Sequence, residues 1–336
     1  MKNNKQGAVY IGGILAFIIL ILDTQSAVLG IQNGIHLCIE SVIPALLPFC
    51  ILSKYLMRLL LGKNIVLLNK IGKICGIPKG AESIFLIGFL GGYPTGAHCI
   101  CDAVRNKALS ESAAQRMLGF CNNVGPSFVF GILSGIFSSG KAAWALMIIQ
   151  ILSSIIVGAV LPYKKHGQCN LPVSQKPHVS AILEESVKTM SIVCAWVVMF
   201  KMVLQYVAKW LGGIFSPHVI TILAGILELS NGCLSLYNIQ NEGLAYILSA
   251  GFLSFGGLCV AMQTKSVACN ISYRFYIPGK VLQCAISVLL AIISQPLMIQ
   301  KENLFHTTFW LPLLCILSSS VILYVLHAQK KVVAFV

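Results

Sequence analysis

Apolar residues fill this chain in long blocks, interrupted by short clusters of glycine, proline and asparagine. The blocks cover residues 8–22, 118–136, 142–161, 192–207, 219–227, 244–262, 281–293 and 309–326. A helix needs about 20 mostly apolar residues to cross the hydrocarbon core of a bilayer. Several blocks reach that length and others stop short at the polar clusters. The pattern predicts an all-α, polytopic transmembrane protein with about eight full spans plus two re-entrant or broken segments, at 91–97 and 227–232. The first block follows Lys2 and Lys5 as in a leader peptide. No small-x-small cleavage site follows it, so it is read as a span.

The most polar connection is 163–178, containing KKHGQCNLPVSQKPH, and it divides the chain almost in half. Each half then repeats an order of features. In the first, Glu40 opens a helix, the segment GGYPTGA (91–97) breaks an apolar run, a polar loop NKALSESAAQRM follows, and NNVGP (122–126) makes a second break. In the second, Glu184 and Glu185 open a helix, LELSNG (227–232) makes a break, YNIQNEG follows, and FGGL (255–258) makes another. Thirty positions separate Gly92 from Asn122, and twenty-eight separate Glu228 from Gly256. The expected organisation is an N-terminal helix (1–34), a first repeat (35–162), a cytoplasmic linker (163–178), a second repeat (179–300) and a C-terminal helix with tail (301–336). The Glu40 helix runs toward Arg58 and Lys63, whereas the Glu185 helix leaves the basic linker, which predicts inverted copies. Inverted repeats with paired discontinuous helices are the usual build of secondary transporters.

Composition sharpens this picture. Only 10% of the residues are charged and 57% are apolar, against roughly 25% charged in a soluble domain. The formal charge of +14 is attributed to basic cytoplasmic loops, and nucleic-acid binding is not expected. The loop clusters are Arg58, Lys63, Lys70, Lys73 and Lys79; Arg105, Lys107 and Arg116; Lys164, Lys165 and Lys176; and Lys265, Arg274 and Lys280. Lys141, Lys209 and Lys301 fall in the opposite loops, which places both termini in the cytoplasm. The expected partner of the surface is the lipid bilayer. Thirteen cysteines contain no C-x-x-C pair and read as small apolar filler.

The breaks carry the candidate chemistry. Lipid offers no partner to an interrupted backbone, so a break is tolerated only inside protein or beside a water-filled cavity. Gly92, Tyr93, Pro94, Thr95 and Gly96, with Asn122, Asn123, Gly125, Pro126 and Ser127, would supply backbone groups and uncharged donors to a substrate at the bilayer midplane. Asn231, Gly256 and Gly257 join them from the second half. Glu228 is a carboxylate at depth, expensive unless paired or protonated, and is expected to hold a coupling proton or cation. Close packing through small residues would use the same glycines. No H-E-x-x-H, G-x-S-x-G, Walker A or G-x-G-x-x-G pattern occurs, so no enzyme and no cofactor are expected. His98, Cys101 and Asp102 share a helical face, but packing and capping explain them and no metal is assigned.

GGYPTGA, FCNNVGPSFVFG, GILELSNG and GFLSFGGLCVAMQ, in this order, resemble the sporulation integral membrane proteins of the YlbJ type. These belong to the wider group with nucleoside-recognition gate domains, distantly similar to concentrative nucleoside carriers. The resemblance spans roughly residues 30 to 300. It implies an endospore-forming source and movement of dipicolinate, a small aromatic dicarboxylate, across the outer forespore membrane. Gly92–Ala97, Asn122–Pro126, Glu228, Asn231, Gly256 and Gly257 match the family pattern. A nucleoside or cation carrier of the same fold, and a non-transporting scaffold for spore assembly, are the competing functions. Oligomeric state is not legible.

Overall fold

A computed structural model describes residues 2–60, 63, 65–162, 169, 178–267 and 271–299. The expected linker lies almost wholly outside these residues, as does the expected C-terminal helix. Among the described residues the chain is helical, with no strand. The helices are α1 (Lys2–Leu22), α2 (Thr24–Leu37), α3 (Ile43–Leu60), α4 (Val66–Cys75), α5 (Glu82–Gly91), α6 (Thr95–Arg105), α7 (Glu111–Cys121), α8 (Pro126–Phe128), α9 (Gly140–Val160), α10 (Val179–Leu211), α11 (Pro217–Leu227), α12 (Leu229–Ser235), α13 (Glu242–Phe255), α14 (Gly257–Val267) and α15 (Tyr276–Met298).

Five helical segments are long and apolar enough to cross a membrane: Thr24–Leu60, Gly140–Val160, Val179–Leu211, Glu242–Val267 and Tyr276–Met298. The protein is therefore a multi-pass integral membrane protein of helical type. The outer faces agree. Trp144, Ile148, Leu152 and Ile156 form one exposed apolar stripe of α9, four residues apart, while Gln150, Ser153 and Ser154 of the same helix are fully buried. A soluble helix does the reverse. In lipid the exposed stripe is solvated, and polar groups must find partners inside.

The element order repeats. With α4 set aside, a long helix leads to a short helix, a break, two short helices, a second break, one more short helix and another long helix. In the first half these are α2–α3, α5, α6, α7, α8 and α9; in the second they are α10, α11, α12, α13, α14 and α15. The turn before the middle helix is capped alike. Ser110 accepts from the Ala113 amide at the start of α7, and Asn241 accepts from the Leu244 amide at the start of α13. Contacts between the halves also come in exchanged pairs: α7 packs on α15 and α13 on α9; α6 on α14, and α12 on the wide turn that follows α8.

Equivalent helices meet antiparallel. A Cβ placed on Gly30 would stand 2.6 Å from the Met202 Cα, and one on Gly34 2.8 Å from the Val198 Cα. Farther along, the Cys38 thiol donates to the Cys194 carbonyl at 3.8 Å and Arg58 Nη2 donates to Glu185 Oε1 at 2.6 Å. As the number on α2–α3 rises, its partner on α10 falls. In α9 and α15 the same holds, with Gln150 at the level of Ser287 and Ser153 beside Gln283. Two equivalent helices that touch antiparallel are related by a two-fold axis perpendicular to both. For helices that cross a membrane, that axis lies in the membrane plane, the inverted arrangement.

Three charged residues sit differently from expectation. Glu40 does not open a helix. It lies in the wide turn Cys38–Val42 inside the continuous segment Thr24–Leu60 and pairs, exposed, with His36 at 3.0 Å. Arg116 is not a loop residue. It is buried in α7, where Nη1 donates to the Cys75 carbonyl at 2.5 Å, Nε to the Pro162 carbonyl at 3.0 Å, and Nη2 to the Gly158 carbonyl. Its guanidinium thus closes the carboxyl ends of α4 and α9, whose last carbonyls have no helical partner. Lys280 is not a loop residue either. It is 1% exposed in the second turn of α15.

Candidate functional site: helix breaks around a cavity

Each break has a local cause. α5 stops at Gly92, whose φ of 66° and ψ of −175° belong to a region open to glycine almost alone. α13 stops at Gly256 with φ 77°, and α14 starts at Gly257 with φ 78°, two consecutive positive φ values that a continuous helix does not accommodate. α7 ends at Asn122, extended at φ −108° and ψ 100°, ahead of Gly125-Pro126. α11 ends at Glu228, also extended, with φ −147° and ψ 124°. There Glu228 turns back as the N-cap of α12, its carboxylate accepting from the amides of Ser230 at 3.0 Å and Asn231 at 2.7 Å.

The breaks meet in pairs. In the first half, a Cβ on Gly92 would stand 2.9 Å from the Gly125 nitrogen. In the second, one on Gly257 would stand 3.2 Å from the Leu227 carbonyl oxygen and 3.3 Å from the Glu228 nitrogen. The pairs are joined by Tyr93, whose ring packs where a side chain on Gly256 would be.

Between them lies a cavity. Its wall takes Gly91, Gly92, Tyr93 and Thr95 from the first break, Val124, Gly125, Ser127 and Phe128 from the second, and Glu228, Leu229 and Ser230 from the third. Thr189, Met190, Val193 and Val197 of α10, Leu46 and Cys50 of α3, and Val260 and Gln263 of α14 complete it. The space open to the centres of water molecules is about 50 Å³. One water needs roughly 10–15 Å³ by that measure, so the cavity holds a few waters and no aromatic ring.

The expected site residues therefore divide. Gly92, Tyr93, Thr95, Gly125, Ser127 and Glu228 share the cavity wall. Pro94 and Pro126 shape the starts of α6 and α8. Gly96 lets α6 lie against the Cys121 carbonyl. Asn122, Asn123 and Asn231 stand behind the wall and spend their amides on the protein. Asn122 accepts from the Ala97 amide at 3.3 Å and donates to Thr264 at 3.0 Å. Asn231 donates to Glu228 Oε2 at 2.7 Å and accepts from Lys201 Nζ at 2.6 Å. Glu228 is 2% exposed and reaches Lys201 only through that amide.

Asn123 belongs to a larger network. Its Nδ2 donates to the Phe120 carbonyl and to Ser154, and its Oδ1 accepts from Gln283 at 3.0 Å and Lys280 at 3.1 Å. Ser254 does the corresponding work across the axis, bonded to Ser287 at 2.5 Å and Gln150 at 2.8 Å. Gln150 and Ser154 on α9 match Gln283 and Ser287 on α15, each 133 positions on. So a residue just before or within the second break of each half binds the serine of its own long helix and the glutamine of the other. Among the described residues, no group of three His, Cys, Asp or Glu side chains could hold a metal, and His98, Cys101 and Asp102 form none.

The chain is similar to the sporulation integral membrane protein YlbJ of Bacillus subtilis strain 168. The two are 28% identical over 149 residues, 42% of this chain and 36% of that protein. The matched stretch thus spans little more than a third of the relative. No family profile matches the chain, and no solved structure does. The likeness to YlbJ agrees with the resemblance that the break motifs carry.

Proposed function

We propose that the protein is a carrier for a small anionic metabolite, namely dipicolinate, across the outer forespore membrane during sporulation. The observation that supports a carrier is the convergence of three interrupted helices on one cavity between antiparallel halves. A scaffold has no need to interrupt its helices at depth, because every interruption leaves backbone groups to be satisfied. A carrier uses them, since the same groups bind substrate and the paired halves rock around it. The hydroxyls of Thr95, Ser127 and Ser230 and the backbone of the breaks offer uncharged hydrogen bonds. The sporulation role and the dicarboxylate rest on the likeness to YlbJ and to its family. The cavity must widen before an aromatic dianion enters.

Glu228 favours a coupled mechanism. A carboxylate in the wall repels a dianion until a proton or cation neutralises it, so we assign it the coupling role. The same residue is what a cation carrier would need, which is the second reading. Uptake of labelled dipicolinate, labelled nucleosides and labelled monovalent cations into proteoliposomes separates the two. Saturable dipicolinate uptake supports the proposal. Uptake of nucleoside or cation alone replaces it, and uptake of none removes the carrier reading.

A further inference from the structure

Lys280 has a buried ammonium with no carboxylate. Its Nζ donates to Gln283 Oε1 at 2.8 Å, Asn123 Oδ1 at 3.1 Å and Tyr93 Oη at 3.2 Å. All three acceptors are neutral. Lys280 enters none of the ion pairs among the described residues, which are His36–Glu40, Arg58–Glu185, Arg105–Asp102 and Lys209–Asp23. Placing an ammonium at depth without a counter-charge is costly, and such residues in membrane proteins mark ligand or ion pathways. The fold does not require the charge. The pseudo-equivalent position on α9, 133 residues earlier, is Met147, and α9 packs as well without it.

Tyr93 touches both Lys280 and the cavity. Tyr93 lines the cavity, its ring centroid lies 5.1 Å from Nζ, and its hydroxyl donates to the Leu253 carbonyl at 3.2 Å. Gly256 leaves the far side of the ring without a side chain. We infer that Lys280 is the anchor for a substrate carboxylate: when Tyr93 swings from its place against Gly256, the ammonium faces the widened cavity and exchanges a neutral acceptor for the anion. This rests on the carrier reading above and adds its charge-selecting residue.

The test compares pyridine-2,6-dicarboxylate with its uncharged diamide, a near-isosteric probe, by binding to the purified full chain in detergent and by competition for uptake in proteoliposomes. Wild-type protein is expected to prefer the dicarboxylate. Lys280→Met, matching Met147, is expected to elute as folded protein and to lose dicarboxylate affinity roughly tenfold or more, with diamide affinity unchanged. Lys280→Arg is expected to keep much of the preference. A Lys280→Met protein that still prefers the dicarboxylate as strongly as wild type overturns the anchor and leaves the carrier standing. Wild-type protein that binds and transports neither probe overturns both. Should Lys280→Met not fold, Lys280→Gln gives the same comparison with the hydrogen bonds retained.

Discussion

Gly92 and Gly125 lie backbone against backbone, with room between them for hydrogen and nothing larger. A Cβ on Gly125 would meet the Gly92 Cα at 3.0 Å and one on Gly92 would meet the Gly125 nitrogen at 2.9 Å. This contact seals the first two breaks together. Gly92→Ala adds conformational strain at φ 66° to the steric conflict and is expected to cost about 1–3 kcal/mol. Gly125→Ala meets the conflict alone. Gly140→Ala, at the start of α9 with nothing within 4 Å, is expected to be near neutral. Thermal unfolding of the three proteins in detergent checks the order.

The crossed network predicts coupling between the halves. Asn123→Ala removes an acceptor from Gln283 and Lys280 and a donor from Ser154. Each buried group left unpaired costs about 1–3 kcal/mol. Asn123→Leu is therefore expected to lose stability first, which the sequence alone would have read as lost affinity. Asn123→Ala and Gln283→Ala are expected to cost less together than the sum of the two, because both delete the same contact. Additive losses would mean that the network does not join the halves.

Arg116 predicts a structural failure far from the cavity. Arg116→Met leaves the carbonyls of Cys75, Gly158 and Leu161 without that partner and is expected to cost about 3 kcal/mol or more. Arg116→Lys should recover only part, since an ammonium cannot reproduce the guanidinium fork. Yield of folded protein and melting temperature report both.

A pH effect is expected at the other end of α2. Asp23 accepts from Lys209 Nζ at 2.6 Å, and that hydrogen bond holds its carboxyl below the usual carboxylate range. A carboxylate lowered on folding contributes stability above its unfolded pKa of about 3.9, and the contribution is lost as pH falls through the folded value. Melting temperature should therefore fall on acidification in that range, and less in Asp23→Asn. The pair is solvent-exposed, so the effect should be small and weaken with salt.

The four breaks and the duplication were legible because glycine, proline and asparagine inside apolar runs leave a trace in any single sequence. Lys280 and Arg116 were not, because a basic residue in a membrane protein reads first as a loop marker. Lys280 also follows Pro278-Gly279, which looks like a turn. In the structure these residues form the first turn of α15, where proline is accepted, and Gly279 lets α15 press against the Gly119 backbone. One sequence signal did exist. Gln150-x-x-x-Ser154 recurs as Gln283-x-x-x-Ser287, each on the inner face of an apolar helix, and would have pointed to the buried network and to Lys280 one turn before it. The roles of Asn122 and Asn123 were not legible, because an amide beside a break serves a substrate or the fold equally well until its partners are seen.

The central claim is that the cavity between the breaks is where substrate binds, and the protein carries its own reporter there. Cys50 is buried in the cavity wall, whereas Cys75 is buried at the end of α4, bonded to the Ile155 carbonyl. Alkylation by a small thiol reagent, followed by peptide mass spectrometry of the full chain in vesicles, reads both at once. Saturating dipicolinate is expected to change the Cys50 rate several-fold and leave Cys75 unchanged. Equal Cys50 rates with and without dipicolinate, in vesicles that take it up, would contradict the account.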